Sequence, residues 1–117
     1  MPTLKDLLSR LSNRSEVEAV FVVGQDGLLI DQVGPEGSDA EAVAAMAPSL
    51  LHSARELGAA ARHDGLTTAV VEYADGVAIV TDVPPEMILV TFVRSGVPFG
   101  ALLYELRHNR EQIAKLI

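Results

Sequence analysis

Leu4, Leu7, Leu8 and Leu11 recur at i, i+3, i+4 and i+7, and Thr3 followed by Asp6 has capping-box spacing, so the chain is expected to open on a short amphipathic helix. Asn13 and Ser15 end it. In residues 17–23, Val17, Ala19, Phe21 and Val23 occupy one face and Val20 and Val22 the other, the pattern of a strand covered on both sides. Gly24-Gln25-Asp26-Gly27 has the Asp-Gly chemistry of a tight turn, and residues 28–33 return as the second strand of a hairpin. After the breaker cluster Gly34-Pro35-Glu36-Gly37, Ser38 and Glu41 are spaced as a capping box for a long helix that runs to about Arg62 and stops at His63-Asp64-Gly65. Pro48 within it predicts a kink there or a later start. Three strands follow, 67–73, 77–82 and 87–94, joined by an Asp75-Gly76 turn and by Pro84-Pro85 into an antiparallel meander. Ser95-Gly96-Val97-Pro98 opens a last helix with Pro98 in its first turn, and Phe99, Leu102, Leu103, Leu106, Ile113 and Ile117 form its apolar stripe.

The order α-β-β-α-β-β-β-α is that of an α+β domain, and strand polarity arranges the sheet. The first, fourth and fifth strands are apolar on both faces, whereas the second carries Asp31 and Gln32 and the third Thr67, Thr68 and Glu72. Polar strands belong at edges, and hairpin neighbours pair. The order that follows is 2-1-5-4-3, a five-stranded antiparallel sheet with helices on both faces. With 117 residues, the chain reads as a single domain spanning 1–117.

Charge narrows the function. Nine Lys and Arg against 16 Asp and Glu give a net charge of −7, which opposes binding to nucleic acid or an anionic membrane. No apolar run approaches the roughly 20 residues of a membrane span, and the N-terminus lacks the pattern of a signal peptide, so a cytoplasmic protein without membrane insertion is expected. The absence of Cys removes disulfides, thiolate metal sites and Cys nucleophiles. His52, His63 and His108 form no i, i+3 or i, i+4 pair, the Gly24–Gly27 turn lacks a phosphate loop's Gly-Lys-Ser/Thr ending, and no serine sits in a Gly-x-Ser-x-Gly elbow. The expectation is a protein that is not an enzyme, with no catalytic residues, metal or cofactor.

What remains is surface. Residues 38–62 contain nine alanines. Val43, Met46, Leu50, Ala54, Leu57 and Ala61 trace the stripe expected to cover the sheet, while Ala42, Ala45, Ser49, Ser53 and Ala60 form a second, smooth stripe that admits a partner helix. The strand that follows contains no Pro or Lys, the usual devices against edge pairing. Its residues Thr67, Ala69, Val70, Val71 and Tyr73 complete a self-complementary dimer interface with the smooth stripe. The outward residues left over, Glu41, His52, Arg55, Glu56, Ala59 and Arg62, are the candidate docking set for a further partner.

The helix Leu7-Leu8-Ser9-Arg10-Leu11, the hairpin from Ala19 through Gly24-Gln25-Asp26-Gly27 to Ile30, the Ala-rich helix, the strand Val77-Ala78-Ile79-Val80-Thr81 and the closing Gly100-Ala101-Leu102-Leu103 together resemble the Roadblock family, the dynein light-chain-type domains whose bacterial members include MglB-type polarity regulators. The resemblance implies a profilin-like sheet between helices and a homodimer, or a dimer with a paralogue, through the second helix and third strand. It also implies partnership with a Ras-like small GTPase, whose own residues do the chemistry. The function expected is a non-catalytic dimeric adaptor or regulator of such a GTPase. The alternatives are a dimerising scaffold or signalling subunit without effect on nucleotide turnover, and a small-molecule sensor.

Overall fold

The computed structural model describes residues 3–34 and 36–116. Helix α1 (Leu4–Ser12) leads into strands β1 (Val17–Gly24) and β2 (Leu29–Val33), helix α2 (Ala40–Ala60), strands β3 (Thr68–Tyr73), β4 (Gly76–Val83) and β5 (Met87–Arg94), and helices α3 (Gly100–His108) and α4 (Arg110–Ala114). The expected α+β order is present, with one change. The last helix is broken at Asn109 into α3 and α4, and Pro98 precedes the first turn of α3, which begins at Gly100. Ile117, assigned by its spacing to that helix's stripe, lies outside the described residues, as does Pro35.

All neighbouring strands are antiparallel, in the order β2-β1-β5-β4-β3, as strand polarity requires. The hairpin turn is built by side-chain and glycine chemistry together. Leu28 N–H donates to Asp26 Oδ1 (3.1 Å), Gly24 N–H to the Leu28 carbonyl (2.8 Å), and Gly27 takes φ +85°, a region costly for residues with a Cβ. A bulge between Val22 and Val23 shifts the register, so that Asp31 faces Val22 but Leu29 faces Val23.

The central strands have a core on each side. On one, Leu7, Leu8 and Leu11 of α1, Leu102 and Leu106 of α3 and Ile113 of α4 pack on Val20, Val22, Ile79, Leu89 and their neighbours. The α1 cap is the reciprocal one expected: Asp6 N–H donates to Thr3 Oγ1 (3.2 Å) and Thr3 N–H to the Asp6 carboxylate (2.8 Å). On the other side, α2 packs on Phe21, Val23, Val80, Ile88 and Val90, where Phe21 and Phe92 meet edge to face at 5.8 Å.

Helix α2 corrects two expectations. It starts at Ala40 on an Asp39 cap, whose carboxylate accepts the Ala42 N–H at 3.1 Å; the Ser38–Glu41 capping box is not the device used. It runs unbroken through Pro48. Most importantly, the residues under it are Ala40, Ala44, Ala47 and Leu51, while Met46 is 68% and Leu57 75% exposed. A stripe other than the two expected, Ala40, Ala44, Ala47 and Leu51, has helical spacing as well and meets the sheet, because Phe21, Ile88 and Val90 already fill the space above it. Alanines let the helix axis come close.

Candidate protein-interaction site

The large apolar residues that α2 does not bury lie beside the sheet. The helix packs chiefly over β1 and β2, leaving the β4–β3 half of this face thinly covered. There Val43, Met46 and Leu50 of α2 and Val71 and Tyr73 of β3 wall an open groove of about 320 Å³, floored by Val90 and Phe92. Met46, Leu50 and Tyr73 are exposed, and Leu57 extends the apolar stripe one to two turns further along the helix. Next to the groove is the outer edge of β3, which pairs only with β4.

The residues expected at a dimer interface divide around this groove. Val71 and Tyr73 line it, and Ala69 packs against the core beneath α2. Val70 stands opposite Ile79, which belongs to the core on the α1 side, so it points to the other face of the strand. Thr67 precedes β3, and its carbonyl accepts the Asp82 N–H at 2.9 Å. Ala42 is half-buried, whereas Ala45, Ser49, Ser53 and Ala60 are exposed farther around the helix. Sequence reasoning placed Met46, Leu50 and Leu57 in the core. The signal that could have corrected this was the competing stripe of Ala40, Ala44, Ala47 and Leu51.

The candidate docking residues Glu41, His52, Arg55, Glu56, Ala59 and Arg62 are all exposed, but they do not form one free set. His52 and Glu56 pair along the helix at 3.5 Å. Arg55 is engaged: its guanidinium donates to Asp82 Oδ2 at 2.8 Å, while Gln25 Nε2 donates to Asp82 Oδ1 at 2.9 Å and to the Met87 carbonyl at 2.9 Å. Arg62 ends the helix in a left-handed conformation, φ +65°, with His63 N–H returning to the Gly58 carbonyl at 2.7 Å. These arrangements are structural.

The histidines lie apart from one another. His108 stacks on Tyr104 with ring centroids 5.2 Å apart, His52 faces Glu56, and among the described residues no group of three or more His, Cys, Asp or Glu is gathered to hold a metal. Hydrogen bonding from Arg14 (3.0 Å), part of the scaffold, holds the Glu16 carboxyl below its ordinary value. Arg14 also donates to Glu105 on α3. No described helix is long and apolar enough to cross a membrane.

Several solved structures share this fold. MglB of Myxococcus xanthus superposes with a TM-score of 0.85 at 18% identity, covering 97% of this chain and 93% of that one. The gliding protein MglB of Thermus thermophilus gives 0.84 at 11%, covering 97% and 87%. A Roadblock/LC7 domain from Streptomyces avermitilis gives 0.83 at 21%, covering 97% of each. No curated protein matches. The Roadblock/LC7 domain family matches residues 3–92, from the N-cap of α1 to near the end of β5, and the chain belongs to that family.

Proposed function

We propose that this protein is a dimeric, non-catalytic adaptor or regulator of a Ras-like small GTPase. The observation that carries the reading is the position of Met46, Leu50 and Leu57, large apolar residues left beside an open strand edge rather than beneath their helix. A two-fold partner copy fits both features at once: β3 pairs with β3 to extend the sheet, and the α2 helices cover each other's grooves. Ala69, Val71 and Tyr73 belong to the seam, with Ser53 and the other small residues of the outward stripe at its margin. The likeness to the MglB fold supports a GTPase as the further partner, which would bind a platform formed by both α2 helices. Because the platform is two-fold and a GTPase is not, a partner on the axis binds once per dimer.

Light-scattering mass at micromolar concentration and pull-down of a small GTPase encoded beside this gene, in both nucleotide states, test the reading. A mass twice 12.4 kDa with nucleotide-dependent capture is expected. A mass near 12.4 kDa removes the dimer. A dimer that captures the GTPase in neither state leaves a scaffold.

A further inference from the structure

The sheet has a second open edge, and its chemistry differs from that of β3. β2 pairs only with β1, contains neither Pro nor Lys, and carries exposed apolar residues at and beside the edge: Leu28 is 68% and Ile30 47% exposed, with Val33 also exposed. The bulge at Ile30 interrupts this edge, and the stretches on either side of it present unpaired backbone that accepts an added strand. The flanks of this edge along the chain are acidic. Asp26 lies in the turn before it, Asp31 at its centre, Glu36 and Asp39 in the loop after it, and no Lys or Arg occurs from residue 15 to residue 54.

We propose that the β2 edge docks an extended, basic segment of a partner protein, which adds to the sheet beside β2. Charge decides against a second copy of this chain. Antiparallel self-pairing centred on the strand sets Asp31 against its own copy, and directly opposed like charges destabilise a strand pair. The bulge at Ile30 leaves Asp31 opposite Val22 and Leu29 opposite Val23, so an added strand places a cation against Asp31 and apolar residues against the exposed Leu28 and Ile30 beside the bulge. Asp31 also makes the edge selective, because its carboxylate now accepts the Gln32 N–H at 2.8 Å. A cation draws the carboxylate away and releases that N–H for pairing; a neutral or acidic strand has nothing to offer in exchange. This surface is on the opposite edge from the β3 seam and does not depend on the dimer or the GTPase.

The test uses two synthetic heptapeptides, one alternating Val and Lys and one alternating Val and Glu, titrated into the isotope-labelled full chain. The Val–Lys peptide is expected to shift and protect amides of residues 28–33, and the Val–Glu peptide to bind at least about tenfold more weakly. Asp31→Asn, an exterior change that keeps the fold, is expected to reduce Val–Lys binding severalfold and narrow the gap between the peptides. Equal binding of the two peptides, shifts spread over all acidic residues, or protection at 68–73 instead of 28–33 overturns the proposal. So does concentration-dependent protection of 28–33 in the protein alone, which makes a second copy the occupant. Failure of the dimer or GTPase reading appears instead as a monomer mass or absent capture, with the β2 titration unchanged.

Discussion

Arg55 and Asp82 join the outer flank of α2 to the end of β4 through one hydrogen-bonded ion pair of 2.8 Å. The Asp82 side chain is 9% exposed and both of its oxygens are used, by Arg55 and by Gln25 of the hairpin turn. Substituting Asp82→Ala leaves one of the two Gln25 amide N–H groups and the half-exposed Arg55 guanidinium without this acceptor, and is expected to cost about 2 kcal/mol in urea unfolding. Arg62→Glu, on an exposed side chain of the same helix end, is expected to stay within about 0.5 kcal/mol. Equal losses in the two variants contradict the structural role given to the pair. Arg55 substitutions accordingly report on folding as well as docking, so Glu41 and Glu56 are the cleaner probes of a partner.

Opposite flanks of α2 are expected to respond differently to substitution. Ala47 is 5% exposed and pressed on the sheet, so Ala47→Leu overpacks the layer and should destabilise by about 1–3 kcal/mol. Met46→Glu, one residue earlier on the groove side, is expected to halve the light-scattering mass while the circular dichroism spectrum is unchanged. A normal mass for Met46→Glu removes the groove from the interface.

Thr91 is fully buried between Val20 and Ile79 on the α1 side of the sheet, and its hydroxyl makes no hydrogen bond. Thr91→Val keeps the shape and removes the unpaired group, so stability is expected to rise by up to about 1 kcal/mol. A loss of similar size shows that the hydroxyl is satisfied in solution.

The Arg14–Glu16 pair sets a pH dependence. Hydrogen bonding lowers the folded-state pKa of Glu16, so its contribution is fully present above the unfolded value, about 4.3, and is lost as pH falls through the lower folded value. The difference in urea midpoint between wild type and Glu16→Gln is expected to shrink between pH 7 and about pH 3. A difference that is constant over this range excludes the linkage.

Strand order was legible because Asp31, Gln32 and Glu72 weight the second and third strands toward solvent, whereas a carboxylate in a central strand, such as Asp82, has to be met by partners on other elements. The α1 cap and the Asp26-Gly27 turn were legible because each is a local hydrogen-bond problem with few solutions. The orientation of α2 was not. Period 3.6 marks two stripes equally well, and which one meets the sheet depends on the volume of Phe21, Ile88 and Val90, residues brought near only by the fold. The same limit applies to Arg55, whose partner is 27 residues away on another element. No local pattern announces it.

Asp82 is also held through its backbone: its carbonyl accepts Arg110 Nε at 2.8 Å, from the helix layer on the opposite face of the sheet. One residue of β4 is thus the anchor for α2 through its carboxylate and for α4 through its backbone. In mechanical terms it is a bolt through the sheet, carrying load between two layers that do not touch. Alongside the two apolar cores, these hydrogen bonds give tension on the C-terminal helix a polar route to the outer flank of α2, and cutting either one removes that route without separating a single strand.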